Sequence, residues 1–261
     1  MTRTTSTERI AAYYDAGYES CLRDYVGTNT RIRMANEFLL THLRRLRPTR
    51  VLEVGCGIGS TSYLICEECN WVEVVGVDLS EKRIETARRL FPHDRLQFHV
   101  SAMDAIAVDG TFGAIVMMDV YEHIPRARVH AFHDVLARML APGGSILLTT
   151  PSPLHQARLA ATRPDALQIV DETIGVEDIA ELARAIGGTI TSFNYKAVWH
   201  SNDYVHSVIE RTPTYERLTD TRTLWQKFLD KPGNLWTIFR SSRERARRER
   251  YVRRTLDAGP S

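Results

Sequence analysis

The sequence predicts an α/β fold: a doubly wound, mostly parallel seven-stranded sheet with an antiparallel last strand, and extra helices at the N- and C-terminal ends. Three observations predict it. Strand-like and helix-like periodicities alternate from about residue 50 to residue 150. "FGAIVMMD" (112–119) is an unbroken apolar run, as expected of a strand covered on both faces. "VLEVGCGIGS" (51–60) runs through β-formers to Glu53 and then places Gly55, Gly57 and Gly59 at alternate positions. That is a strand-to-helix turn of the kind at which an open α/β sheet binds a ligand.

Each element follows in order. Residues 7–23 and 31–46 have helical periodicity, the second segment with Met34, Phe38, Leu39, Leu43 and Leu46 on one face, and Pro48 stops it. A strand at "RVLEV" precedes a helix from Ser60 to Glu68, a strand at "VEVVGVD", and a helix at "SEKRIETARRLF" that Ser80 is placed to cap. A short strand at "LQFHV", the apolar run, a helix at 126–140 and a strand at "SILLTT" complete the alternation. A helix near 176–186 and strands at "GTITSFNY" and "DYVHSVIE" follow. The link between these two strands has no helical pattern, so they form an antiparallel pair rather than another crossover.

An apolar share of 43% and a charged share of 25% are those of an ordinary globular protein. With no apolar leader and no long uncharged apolar run, the chain is expected to be cytoplasmic and to have no membrane span. The four cysteines (Cys21, Cys56, Cys66, Cys69) are expected to be free thiols, with Cys66 and Cys69 structural. The net charge of +2 is uneven, because residues 240–254 hold eight Arg against two Glu. That run suits a solvated helix with Arg to Glu pairing, and a nucleic-acid partner is not expected. Three regions result: a helical cap over 1–47, a ligand-binding domain over 48–211 and an Arg-rich helical extension over 212–261.

The glycine loop and Asp78, at the end of the second strand, imply a nucleoside whose ribose hydroxyls the carboxylate accepts. The dinucleotide pattern needs its third glycine at position 60, which is Ser60, and no G-K-S or G-K-T follows to make a phosphate loop. At this point the chain resembles the class I S-adenosylmethionine-dependent methyltransferases, in a small-molecule subgroup of the quinone-biosynthesis type. "VLEVGCGIG", "VVGVDLS", "VSAMDAI", "FGAIVMMDVYEHIP" and "LAPGGSILLTTPSP" carry the resemblance, in order, over roughly residues 48–150. It implies a Rossmann-like methyltransferase fold with S-adenosyl-L-methionine as cofactor. By the same resemblance Glu53, Gly55, Cys56, Gly57 and Gly59 hold the methionine part, Asp78 and Leu79 the ribose side, and Met103 and Asp104 the adenine. Asp119 and Tyr14 complete the cofactor-binding set. A cationic sulfonium suits a cleft lined by acids.

The resemblance places acceptor recognition outside the matched segment, in the N-terminal helices and after the fifth strand. The tract "DVYEHIP" replaces the Asn/Asp-Pro-Pro-aromatic motif of base N-methylating relatives, which sets that acceptor class aside. Two candidate catalytic bases stand out, His123 in "YEHIP" and His155 in "TPSPLHQ". The mouth is expected to be polar, built from His155, Gln156, Gln168, Asp171, Glu172, Trp199, His200, Asn202, Asp203 and His206. A sugar or a hydroxyl-rich natural product, such as a glycan or glycosylated metabolite, is the preferred small-molecule acceptor, with O-methylation the preferred reaction. The alternatives are N-methylation of a small amine and a non-catalytic cofactor-binding partner subunit. No ligand spacing indicates a metal.

Overall fold

A computed structural model describes residues 6–27, 29–106 and 108–212. The Arg-rich run at 240–254 lies outside the described residues. Three N-terminal helices come first: α1 (Thr7–Ala16), α2 (Tyr18–Gly27) and α3 (Thr30–Leu46). The periodicity had predicted one helix over 7–23, but Gly17 closes α1 by donating its amide to the Tyr13 carbonyl, and a second helix starts at once. Arg47 takes a left-handed conformation (φ 52°) that ends α3 just before Pro48.

The sheet and its crossovers follow as β1 (Arg50–Val54), α4 (Ser60–Glu68), β2 (Glu73–Asp78), α5 (Glu81–Leu90), β3 (Leu96–Val100), β4 (Phe112–Met118), α6 (Val129–Met139) and β5 (Leu140–Pro151). Ser80 caps α5 as expected, its hydroxyl accepting from the Arg83 amide. Then come α7 (Pro153–Thr162), α8 (Val176–Ala185), β6 (Gly188–Lys196) and β7 (Tyr204–Arg211). The strands lie in the order β3-β2-β1-β4-β5-β7-β6. The first five are mutually parallel, while β7 inserts antiparallel between β5 and β6. The seven-stranded, mostly parallel sheet with an antiparallel last strand is as the sequence predicts. Helix α7 is new, since the sequence reading places this segment at the mouth and assigns it no element.

Alternation along the buried strands divides the core in two. Leu52, Val54, Ile115, Met117, Ile146 and Leu148 face Phe132 and Leu136 of α6 and Leu182 of α8. Val51, Val74, Ala114, Val116 and Leu147 face Leu39 and Leu43 of α3, Ile65 of α4 and Ile84 of α5. Each large side chain buried this way contributes about 1.5–3 kcal/mol. The double layer of helices fixes the carboxyl ends of β1, β2, β4 and β5 along one edge, where the site is built.

Candidate functional site

The three glycines of the β1–α4 turn all have positive φ (69°, 55° and 81°), but they serve different ends. A Cβ on Gly55 would stand 2.5 Å from Val120 Cγ2, and one on Gly59 would stand 2.4 Å from Phe98 Cζ. Those two glycines admit protein. A Cβ on Gly57 meets nothing within 4 Å, so this glycine leaves open space on that side of the turn. The Gly57 amide donates to Asp78 Oδ2 and the Ser80 amide to Asp78 Oδ1, each at 2.8 Å. Asp78 therefore ties the turn to the end of β2 while a lone pair on each oxygen stays available. Burial raises its pKa, opposed by Arg83 and by the two amides.

Glu53 at the end of β1 is buried and accepts a hydrogen bond from Ser62 of α4. Burial pushes its carboxyl up to about 7. Next to Asp78, a pocket is lined by Leu79, Ala102, Met103, His123 and Phe132, with Ile10 and Tyr14 of α1 closing it from above. This apolar, aromatic slot adjoining a ribose-type carboxylate fits a flat base. The backbone of Asp104 lies in the 3-10 turn Met103–Ala105, and its side chain falls outside the described residues. Cys56 is a buried free thiol in the turn, as Cys66 and Cys69 are beneath it.

The N-terminal helices lie across the strand ends. Asp15 accepts from the Ser80 hydroxyl, Asn36 from the Thr61 hydroxyl, and Arg31 pairs with Asp119. Asp119 follows β4 with φ 53°, a costly left-handed conformation for a residue with a Cβ, and its Oδ1 accepts from Thr149 at 3.1 Å.

Beyond Asp119 the chain forms a 3-10 turn at Tyr121–His123. His123 is buried with Nδ1 2.7 Å from the Val170 carbonyl, so Nδ1–H donates and Nε2 keeps its lone pair. Burial lowers its pKa below 6.5. The Glu172 amide donates to the Glu122 carbonyl, which stitches the loop before α8 to this turn a second time. Glu122 is 1% exposed, and among the described residues neither carboxylate oxygen has a hydrogen-bond partner. Burial pushes it up to about 8, with Asp171 adding and Arg31 opposing. Gln156 of α7 is also buried. Its Nε2 donates to Asp171, and its Oε1 has no partner among the described residues.

His155 is half-buried on the first turn of α7, 5.9 Å between ring centres from Tyr204, and burial lowers its pKa. Trp199, 53% exposed, stands edge-on to Tyr204 and forms an aromatic surface rather than a core contact. Three residues expected at the mouth have other duties. Asp203 locks the β6–β7 turn by accepting the amides of Val198, Trp199 and His200, and Asn202 adopts φ 60° in that turn. His206 is buried against Phe38 of α3 at 4.8 Å, where burial drives its pKa down to about 4. The sequence reading missed Arg31 and Glu122. Arg31 resembles any cation on an exposed helix start, whereas Glu122 carries a legible signal, its place beside the histidine of "YEHIP".

Residues 51–144 match the family described as a methyltransferase domain. Residues 51–144 form a class I S-adenosylmethionine-dependent methyltransferase domain. The glycine turn, the doubly held Asp78 and the apolar slot fit that cofactor. The chain is 31% identical over 147 residues to a probable chloroplastic tocopherol O-methyltransferase of Oryza sativa subsp. japonica, covering 53% of this chain and 39% of that protein. It is 34% identical over 118 residues to a ubiquinone biosynthesis O-methyltransferase of Azoarcus sp. (strain BH72), covering 43% and 48%. The chain thus spans less than half the length of these curated relatives. The solved magnesium protoporphyrin IX methyltransferase of Synechocystis PCC 6803 with bound SAH shares the fold, at TM-score 0.62 and 16% identity over 79% of this chain and 99% of that one. No helix among the described residues is long and apolar enough to cross a membrane.

Two predictions arise here. Asp78→Ala is expected to weaken S-adenosylhomocysteine binding by about 1.5–3 kcal/mol. It should also lower the melting temperature, because two amides lose their acceptor. Calorimetry and thermal unfolding read the two effects, and NAD binding to the parent protein would contradict the cofactor assignment. Glu122→Gln is expected to stabilise the unliganded protein at pH 8. A carboxyl raised from 4.5 to about 8 keeps, in the folded state, a proton that the unfolded chain releases. Stability therefore falls as pH rises across that window, and the variant escapes the loss. The gain should be about 1–3 kcal/mol and should vanish towards pH 4.5. A gap that does not change with pH would show that the Glu122 charge is not its cause.

Proposed function

We propose that the protein is an S-adenosylmethionine-dependent O-methyltransferase of a polar, hydroxyl-bearing small molecule, a sugar or a glycosylated or polyol natural product. One observation carries this reading: the buried Glu122 carboxyl and Gln156 Oε1, beside the ends of β4 and β5, have no hydrogen-bond partner among the described residues and call for groups that both donate and accept. Hydroxyl groups do both. Trp199, exposed and edge-on to the buried Tyr204, adds an aromatic face suited to the C–H face of a sugar ring.

When bound, S-adenosylmethionine would supply the methyl group from its sulfonium sulfur, which would become a neutral thioether. The chain's residues position and deprotonate. The glycine turn, Asp78, Leu79, Met103 and Tyr14 hold the donor, and Glu53 and Asp119 keep that end of the cleft acidic. The hydroxyl proton passes to an imidazole that is neutral at pH 7, at His155 or at Nε2 of His123. The Arg31 and Asp119 pair, supported by Thr149, braces the wall between donor and acceptor.

The test is product identification. With S-adenosylmethionine and a panel of hydroxylated small molecules, mass spectrometry should find a product heavier by one methylene unit, and NMR should place the new methyl on oxygen. The same acid-rich cluster of Glu122, Asp171 and Asp119 also suits a small amine, whose ammonium form would give its proton to a carboxylate before the nitrogen lone pair attacks, and N-methylation is the second reading. A methyl found on nitrogen would promote it. Donor binding without turnover on any acceptor would favour a non-catalytic partner subunit.

A further inference from the structure

We propose that His130, His133 and Glu181 form a binding site for one divalent transition metal, zinc by its ligand set, that clips α6 to α8 on the face beside the methyl-transfer cleft. The site is independent of the reaction proposed above. His130 and His133 lie one turn apart on α6, and Glu181 faces them from α8. One ligand atom from each lies within 4.8 Å of the other two, and His130 Nδ1 is already 3.3 Å from Glu181 Oε1.

A second, independent observation points to a ligand. His133 is 2% exposed, yet its Nδ1 has no hydrogen-bond partner among the described residues. Its other nitrogen, Nε2, is 2.7 Å from the Tyr121 hydroxyl, which directs its own proton at the Asp178 carbonyl 3.4 Å away. In that arrangement Nε2–H donates to Tyr121 and Nδ1 presents a bare lone pair. An imidazole oriented through its far nitrogen by a hydrogen-bonded partner is how metal-binding histidines are held. A core histidine with no metal to bind would leave that lone pair desolvated and unused.

Two imidazole nitrogens and one carboxylate oxygen match zinc, with the fourth position open to water. Metal–nitrogen bonds of about 2.0–2.1 Å require the ligand atoms to draw closer than they are. His130 and Glu181, both on the surface, can rotate to do so while His133 stays fixed. The metal would also brace Tyr121, the first residue of the turn that carries Glu122 and His123.

Tag-free, metal-stripped full-length protein should take up one zinc ion per chain in equilibrium dialysis against zinc chloride. His130→Ala and Glu181→Gln change surface residues and should fold normally, and each should weaken uptake by at least about tenfold. Zinc should raise the melting temperature of the parent protein but not of His130→Ala. Cobalt(II) in place of zinc should give weak ligand-field absorption without a sulfur charge-transfer band, which separates this site from the cysteines. No stoichiometric uptake, uptake unchanged in both variants, or a sulfur band would overturn the proposal.

Discussion

Gly57→Ala is expected to leave the protein folded and to remove donor binding, whereas Gly59→Ala is expected to compromise the fold itself. Both residues sit at positive φ, so each alanine carries a backbone cost of about 1–2 kcal/mol. The surroundings then separate them. A Cβ at position 59 stands 2.4 Å from Phe98 Cζ and 3.0 Å from Ala87 Cβ, inside a packed core, and overpacking adds about 1–3 kcal/mol. At position 57 a Cβ meets no protein atom within 4 Å and instead fills the space beside the amide that Asp78 holds. S-adenosylhomocysteine affinity in Gly57→Ala should drop by at least about a hundredfold, or about 2.7 kcal/mol. Circular dichroism and calorimetry on the two variants decide it. Near-native affinity in Gly57→Ala would move the donor away from this turn.

That contrast marks where sequence reading succeeds. A strand running into alternate glycines and an acid two dozen residues later are local features of backbone and spacing, and they located the turn and Asp78 without tertiary information. The two purposes of the glycines were not legible, because only packing reveals that Val120 and Phe98 fill two of the three spaces. The same division holds among the elements. The strands are readable from continuous apolar runs, whereas the sequence reading assigns no helix to 153–162, where the structure has α7. Ser152 at the cap, accepting from the His155 amide, with Pro153 in the first turn, is a helix start that the sequence does contain.

Burial explains the remaining misses. Glu122 and His206 look in sequence like ordinary surface polars. Their roles depend on what covers them: the loop before α8 over Glu122, and α3 over His206. Arg31 acquires its part only because the break at Gly17 and the turn before α3 carry the helical cap back over the end of β4. An extended charge pattern cannot report which carboxylate a helix-start arginine will reach, and here it is Asp119.

Replacing the catalytic base is expected to produce the largest loss of turnover of any single change. An alcohol must shed its proton as its oxygen is methylated, and a positioned base is worth about a hundredfold to ten-thousandfold. His123→Gln retains an amide that can still donate to the Val170 carbonyl, so the stitched loop stays in place while the imidazole lone pair is lost. His155→Gln removes the imidazole whose ring centre lies 5.9 Å from that of Tyr204. One of the two variants should lose turnover on that scale with S-adenosylhomocysteine affinity unchanged. Burial holds both imidazoles below 6.5, so each is neutral at pH 7. Turnover of the parent enzyme should therefore be flat through neutrality and fall as acid protonates the base, with an apparent pKa under the ordinary histidine value. The variant lacking the base should lose that acid limb. A merely structural role for either histidine would change melting temperature or donor affinity and leave the limb intact. If both variants keep turnover within a few fold and keep the same profile, the acceptor's proton leaves by another route, and an amine that binds in its neutral form becomes the better substrate class.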